Sequence, residues 1–450
     1  MDAEEGEDAG PWSVGAILST RPKDQVRWRE SWRWGGLRLE LTGEMGALAS
    51  GILLAHTQLA VIGGGPAGLR AAEVAATAGL QVTLFDGKPS VGRKFLVAGK
   101  GGLNLTHGES FESFVKRYSG PDQPAGIWEE MLGDFDAAAL RRWAEELGVE
   151  TFQATSGRVY PKALKAAPLL RRWMERLRGK GVRFSMNHRW KLLEPGVPHR
   201  LEFENGARIT ADAVIFALGG ASWSKTGSDG TWASVFEKLG VAQNPLTPAN
   251  GGWEHRWPED VRVRAEGKPL KNIHASAGGV TAIGELLVTR YGLEGGAIYQ
   301  LGAVLRAMSE PVISIDFKPT FTHARLVAKM QSVRRDFLKE ARIRWKLSEP
   351  ACAILSRTAW SDADSLASEV KDCRIALAGP RPIDEAISSA GGICWEELDQ
   401  SLMLKKCPGI FLAGEMIDWE APTGGYLMQG CFATATRAAK AAVEWLRPVV

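Results

Sequence analysis

The sequence predicts an α/β protein in which a helix-wrapped parallel sheet is interrupted by a long insertion and completed near the C-terminus. Three observations carry that expectation. An apolar strand, a glycine turn, a helix and a second strand follow one another from Gln58 to Phe85. A second apolar run, Ala213 to Leu218, leads directly into Gly219 and Gly220. A third, Ile410 to Ala413, comes only after a long excursion and is followed by a glycine pair and an alanine-rich helix. Strands alternating with helical runs are the signature of a parallel, doubly wound sheet.

The chain opens differently. Residues 1–56 carry an acidic head and then RWRESWRWGGLRLE, three tryptophans among arginines with no clean period of two or 3.6. A poorly ordered extension is expected there; an arm that binds an anionic surface is the other reading. The whole chain of 450 residues is 45% hydrophobic and 24% charged, with a formal charge of +3, which excludes global disorder and does not announce a nucleic-acid partner. Five cysteines make an odd number without a CxxC, so neither a disulfide framework nor a metal site is expected, and a reducing cytoplasm is the natural compartment. The start is acidic where a secretory signal is basic, and no apolar run approaches the ~18 residues of a membrane span.

The run QLAVIGGGPAGLRAAEVAATAGLQVTLFDGKPS places Gln58–Ile62 as a strand, Pro66–Gly79 as a helix and Gln81–Phe85 as a strand. Gly63 permits the tight turn, Gly65 lets the backbone approach a pyrophosphate, and Gly68 lets the helix pack closely on the strand. Asp86 ends the second strand, where a carboxylate accepts hydrogen bonds from ribose hydroxyls. A dinucleotide is therefore expected. The choice of FAD over NAD comes from the two distant segments. Gly219 and Gly220 let the chain pass close to an adenosine. Glu415 and Asp418 lie just beyond the Ile410–Ala413 strand, and Gly424-Gly425-Tyr426 opens the final helix. In two-part FAD-binding folds an acid here holds the ribityl chain. The positive helix N-terminus points at the pyrimidine edge of the flavin and favours negative charge on the reduced ring.

The motifs VIGGGPAGLRAA, GRKFLVAGKGGLNLTH, SGRVYPKALKAAPLL, FALGGASW, GELLVTRYGLEGGAIY, RPIDEAISSAGGI and LAGEMIDWEAPTGGYLMQG span the chain in order. From about residue 57 onward the chain resembles the BaiN/RdsA (YhiN-type) family of NAD(P)/FAD-dependent oxidoreductases, a branch of the glutathione-reductase-like flavoproteins. Many relatives read Gly-Gly-Arg-Cys-Asn in the glycine loop, whereas this chain has Gly101-Gly102-Leu103-Asn104, so a mechanism using that cysteine is closed to it. The resemblance implies a two-part Rossmann-like FAD-binding domain, residues 57–244 and 374–450, interrupted by an inserted β-rich plus helical substrate or cap domain, residues 245–373.

The resemblance also implies that the glycine loop runs along the cofactor. Gly99, Gly101 and Gly102 then bring main-chain amides to it, Arg93 and Lys94 supply positive charge, and Asn104 is the best candidate to touch the flavin ring. His107 is read as a loop residue outside direct contact. The cofactor-binding set expected across the four segments comprises Gly63, Gly65, Pro66, Ala67, Gly68, Asp86 and Gly87; Arg93, Lys94, Gly101, Gly102 and Asn104; Ala217, Gly219 and Gly220; and Gly414, Glu415, Asp418, Gly424, Gly425 and Tyr426.

In the insertion, GELLVT and AIYQLGAVL read as short β runs, and THARLVAKMQSVRRDFLKEARIRWKL as helical. Arg290 and Tyr291 are its most chemistry-like residues: an anion-binding arginine beside a stacking or proton-donating tyrosine, or an exposed arginine beside a core tyrosine. With Asn104 and Tyr426 they complete the catalytic candidates. No second GxGxxG with strand and helix context appears, so NADPH or NADH, if it is the reductant, must visit the same flavin face as the substrate. Thr151–Lys191 carries eleven Lys or Arg against Glu175 alone, and Phe321–Lys346 eight against Asp336 and Glu340. These are solvated faces or an RNA-backbone footprint. The expected activity is hydride transfer between a donor and an unidentified acceptor through flavin N5. The alternatives are flavin-dependent reduction of uridine in ribosomal RNA, or an RNA-binding protein that keeps FAD as a structural element or redox sensor.

Overall fold

The computed structural model describes residues 26–34, 37–45, 55–99 and 101–447, the first two stretches as backbone only. Two compact units result, residues 1–54 and residues 55–450. In the first, Val26–Trp34 pairs antiparallel with Leu37–Met45, from Val26 opposite Met45 to Trp34 opposite Leu37. A hairpin thus occupies the stretch where the sequence shows no period; the rest of the expected extension up to Leu54 lies outside the described residues.

The second unit is built on a sheet of seven strands. Arg183–Met186, Val82–Asp86, Ala55–Ile62 and Arg208–Phe216 lie side by side, all parallel. The first strand starts at Ala55, two residues inside the expected extension. Leu59, Ala60, Val61 and Ile62 are shielded on both faces, which is why they form a continuous apolar run rather than an alternating one. The far edge of Arg208–Phe216 is shared. Its first half pairs antiparallel with His199–Phe203, which pairs in turn with Trp190–Glu194; its second half pairs parallel with Ile410–Leu412. The late segment thereby enters the sheet beside the strand that precedes Gly219.

Helices Pro66–Thr77 and Tyr426–Trp445 pack together, and small residues set their closeness: Ala71, Ala72 and Ala75 on one, Ala435, Ala438, Ala439 and Ala442 on the other, all fully buried. Glu73 of the first helix is buried and accepts hydrogen bonds from the indole nitrogens of Trp143 (2.9 Å) and Trp173 (3.0 Å) and from Arg176 (3.1 Å). It joins helix Ala137–Glu146 and helix Ala166–Gly179 to the sheet layer.

Between Arg208–Phe216 and Ile410–Leu412 the chain builds a second hydrophobic core, running from Trp253 to Leu377, around an antiparallel sheet. Its strand order is Cys373–Ala376, Val312–Asp316, Pro269–Ala277, Val280–Thr289, Gly292–Glu294, Trp253–Glu254 and Gly379–Pro380. GELLVT lies in Val280–Thr289 as a strand. AIYQLGAVL does not: it forms helices Gly296–Gln300 and Gly302–Ala307. Gly295, at φ +107°, turns the chain, and Ala297, Ile298, Leu301 and Leu305 then bury one face at a helical spacing that a strand would split between two sides. The long helical run is broken into His323–Ala328 and Phe337–Arg344. The sheet reaches Pro380, beyond the expected boundary at Cys373. The antiparallel pair Gln243–Ala249 and Ser388–Ile393 connects this unit to the rest. No described helix is long and apolar enough to cross a membrane.

Candidate functional site

The glycine turn sits at the carboxyl ends of the parallel strands, where doubly wound sheets bind ligands. Gly63 has φ +108°, and a Cβ there would lie 2.3 Å from the carbonyl oxygen of Ala217; at Gly68 a Cβ would lie 1.8 Å from the oxygen of Gly63. Both positions need glycine for the fold itself. Gly65 differs: its backbone is extended and a Cβ would meet no protein atom within 4 Å. Its missing side chain leaves space for something other than the protein.

That space is a cavity of about 350 Å³. Gly63, Gly65, Pro66, Ala67, Asp86, Gly87, Arg93, Lys94, Ala217, Gly219, Gly414 and Glu415 all line it, so residues from every expected segment converge there. A second cavity of about 360 Å³ shares Lys94 and is lined by Gly102, Asn104, Trp223, Ile387, Gly424, Gly425 and Met428 among others. Lys94 stands at the junction and donates to Ser222 Oγ (2.6 Å) and Glu415 Oε2 (3.1 Å). Gly425, at φ +107°, caps the N-terminus of the 20-residue final helix, so that helix presents its positive end to the second cavity.

Asp86 spends its carboxylate differently from the expectation. Oδ2 accepts from the Gly64 amide and Oδ1 from the Lys88 amide, each at 2.7 Å, so it staples the glycine turn while it lines the cavity. Burial raises its pKa, and the two amides with the charges of Arg93 and Lys88 offset only part of that rise.

Other expected residues lie elsewhere. Asp418 is buried away from both cavities, accepting from Asn244 Nδ2 (2.6 Å) and the Gly391 amide (3.1 Å); it locks the two connector strands to the last segment. Gly220 packs on the connector, where a Cβ would lie 2.4 Å from Ser389 Oγ. Gly101 lines neither cavity, and Lys100 is outside the described residues. Tyr426 faces away: its hydroxyl donates to Glu109 (2.5 Å), and its ring stacks on His107 at 5.3 Å. Burial pushes its hydroxyl well up, and Glu109 adds to the rise. Arg290 is exposed on the inserted unit; Tyr291 donates to Glu294 (2.7 Å) under the guanidinium of Arg381, with its hydroxyl pushed up to about 12 by burial and by Glu294. Neither lines a described cavity, so of the four catalytic candidates only Asn104 does.

Sequence reasoning missed one end of the first cavity. Arg189 binds Asp229 (2.6 Å) and Glu204 (3.0 Å), and with His188, Trp190, Ser228 and Trp232 it closes the wall beyond Asp86. It missed Ser222 and Trp223 as well. Ser222 and Trp223 close the FALGGASW motif, but nothing local in it or around Arg189 marks a cavity wall; the strand order brings these positions to Asp86 and Lys94.

The residues present fit FAD. A cleft holding the glycine turn, a carboxylate and a half-buried Arg93, whose own Nε is buried without a partner among the described residues, suits a dinucleotide phosphate. The adjoining chamber holds the buried, unpartnered Oδ1 of Asn104 opposite the helix N-terminus.

Comparison with known proteins agrees with this architecture. Residues 57–441 match the HI0933-like protein Rossmann domain. A 3-dehydro-bile acid delta(4,6)-reductase of Clostridium scindens is 26% identical over 86% of this chain and 99% of that relative. A ribosomal RNA dihydrouridine synthase of Escherichia coli is 22% identical over 83% of this chain and 95% of that relative. Among solved structures, the open conformation of a flavocytochrome c3 fumarate reductase superposes with a TM-score of 0.50 at 16% identity, covering 89% of this chain and 80% of that one. The chain therefore belongs to the HI0933-like family and is, in class, a Rossmann-fold FAD-dependent oxidoreductase.

Proposed function

We propose that this protein transfers a hydride between NAD(P)H and an unidentified acceptor, with the flavin ring seated in the chamber beside Asn104. The observation that carries the reading is Lys94, which lines both the dinucleotide cleft and the adjoining chamber at the N-terminus of the final helix. When bound, FAD supplies the two-electron chemistry, accepting and passing on a hydride at N5. The chain's own residues do the rest. Gly63 and Gly65 admit the phosphates, and Arg93 neutralises them. Glu415, held by Lys94, offers an acceptor for ribityl hydroxyls. The N-terminus of helix Tyr426–Trp445 stabilises negative charge in the chamber, and Asn104 orients whatever donor group meets its free oxygen. The sequence carries no second dinucleotide motif, so donor and acceptor would take turns at one flavin face and the kinetics are expected to be ping-pong.

The test is an anaerobic visible spectrum of the purified protein before and after NADPH and then NADH. Bleaching of the flavin bands by either donor supports the reading. A flavin that stays oxidised with both donors removes NAD(P)H from it.

One observation favours a second reading, in which the acceptor is a uridine in ribosomal RNA. All eight lysines and arginines of Phe321–Lys346 are exposed, and of these only Arg344 has an acidic partner, Glu340, among the described residues. An RNA backbone would find a ready cationic platform there. Binding of a ribosomal RNA fragment is then expected to weaken steeply with salt. Reversing Arg334, Arg335 and Lys339 to glutamate should flatten that dependence by about 0.7 in slope for each phosphate no longer neutralised. Salt-independent or absent RNA binding sinks this second reading and leaves the first intact.

A further inference from the structure

We infer that Arg158 sets the charge behind the flavin chamber: its guanidinium, standing across Gly424, joins the N-terminus of helix Tyr426–Trp445 in favouring negative charge on the reduced ring. The assignment rests on the flavin reading above and adds a residue outside the expected cofactor set. Arg158 belongs to SGRVYPKALKAAPLL, a motif that contributes no lining residue to the dinucleotide cleft or to the chamber.

Two short strands bring it there. Thr106–His107 pairs antiparallel with Arg158–Pro161, Thr106 opposite Val159 and His107 opposite Arg158. Burial alternates along the second strand: Val159 and Pro161 are buried, while Arg158 and Tyr160 share the other, half-buried face. That face lies against two glycines of the chamber wall. A Cβ at Gly102 would lie 3.5 Å from the Tyr160 ring, and a Cβ at Gly424 would lie 3.5 Å from Arg158 Nε. Both are ordinary contact distances, so each glycine brings its neighbour to within one residue of the chamber.

Arg158 is set apart by what it lacks. Half-buried arginines elsewhere are tied down: Arg70, Arg176, Arg189, Arg306, Arg381 and Arg437 each donate to a carboxylate. Among the described residues, only Arg93 and Arg158 of the half-buried arginines donate no side-chain hydrogen bond. Arg93 lines the dinucleotide cleft, where phosphates would answer it. Glu109, the carboxylate of the neighbouring cluster, is engaged by Arg117 and Tyr426 and leaves Arg158 free. Thr106 on the paired strand repeats the pattern: it is fully buried, its Oγ1 has no partner among the described residues, and its backbone lies 2.5 Å from where a Cβ of Gly425 would stand. A cation half-withdrawn from water is unfavourable until something negative comes to it. At the N-terminus of a 20-residue helix, that negative charge is the one a reduced flavin spreads over its pyrimidine edge.

The test compares FAD-loaded wild type, R158M, R158Q and R158K by anaerobic redox titration and by titration with sulfite. Sulfite bonds through its sulfur lone pair to flavin N5 and leaves the negative charge on the ring, so the bleaching it causes reports nearby charge without turnover. R158M and R158Q should each raise the sulfite dissociation constant about tenfold or more. They should also lower the flavin midpoint potential by about 30 mV or more, the two-electron equivalent of tenfold, while R158K stays within about threefold of wild type. The potential decides alone if sulfite adds to none of the four proteins. A purely structural arginine would lose thermal stability on substitution and leave both readouts where they are. Unchanged readouts in the neutral variants at full FAD occupancy overturn the assignment, as does a lysine variant shifted as far as the methionine one. Loss of FAD from both neutral variants overturns it too, since Arg158 would then be a binding group. Wild-type protein that takes up no FAD overturns the flavin reading, and this assignment with it.

Discussion

Single residues separate two kinds of constraint in the glycine turn. A Cβ at Gly63 or Gly68 would collide with a protein carbonyl, so alanine there would disturb the turn in the absence of any ligand. Gly65 has no protein atom in the way and its backbone is ordinary, so the fold should accept valine at a cost of about 1 kcal/mol at this helix cap. Gly65→Val is therefore expected to keep its circular dichroism and cooperative unfolding while losing FAD; full occupancy by visible absorption would remove the phosphate assignment. Glu73 is the reverse case, a carboxylate essential to the protein and remote from chemistry. Glu73→Ala strips the partner from two buried indoles and from Arg176. It should cost about 3–5 kcal/mol in urea unfolding, and a loss below about 1 kcal/mol would mean that water replaces the carboxylate.

Among elements, the final helix matters most, and its N-terminus is placed by a polar cluster behind the chamber. Gly425 lies so close to Thr106 that a Cβ would approach its backbone to 2.5 Å. Tyr118 donates to the carbonyl of Tyr426 (2.7 Å), and Glu109 receives both Tyr426 and a two-nitrogen fork from Arg117 (3.1 and 2.7 Å). Burial alone would raise the Glu109 carboxyl; hydrogen bonds from Arg117 and Tyr426 outweigh it and hold the group below its ordinary range. A carboxylate depressed on folding contributes stability that is complete above its unfolded value, near 4.5, and is lost as pH falls through the lower folded value. The difference in melting temperature between wild type and Glu109→Gln should thus be constant from neutral pH down to about 4.5 and shrink below it. A difference that grows with acid would reverse the assignment.

On the scale of the whole molecule, the inserted unit has its own core and meets the flavin unit through narrow attachments. Arg306, at the end of helix Gly302–Ala307, binds both carboxylate oxygens of Glu420 (2.6 and 2.7 Å) and the carbonyl of Pro248 on the connector (2.9 Å). The pair is largely shielded, 16% and 22% exposed, so charge-assisted hydrogen bonds retain their strength there. A double-mutant cycle on Arg306→Ala and Glu420→Ala should give a coupling of about 1.5–3 kcal/mol. The single variants should also expose the connector to limited proteolysis; additive effects within error would show that the units are held by packing alone. On the segment that leads back from the inserted unit, Asp384 adds a polar attachment by accepting from the amide (2.9 Å) and the hydroxyl (3.1 Å) of Ser224 beside Trp223, so chamber shape and domain placement are mechanically linked.

The sequence by itself determined the strand–turn–helix–strand opening, the parallel strands before Gly219 and Gly414, the closing helix and the flavin class. Each is written in local signals, either an apolar run of strand length or a glycine where the backbone must turn or approach. Gly63, Gly65 and Gly68 were legible because the turn they make is complete within a few residues. Tertiary structure alone decided which acids serve the site. Glu415 and Asp418 are three positions apart on one loop, yet the first meets Lys94 across 321 residues of chain and the second is consumed by the connector. It likewise turned Tyr426 toward Glu109, set Arg290 and Tyr291 apart from the cavities and brought Trp223 to the chamber wall. Such contacts depend on strand order and on the return path of an inserted unit, and a hydrogen bond between distant segments leaves no periodicity in either one.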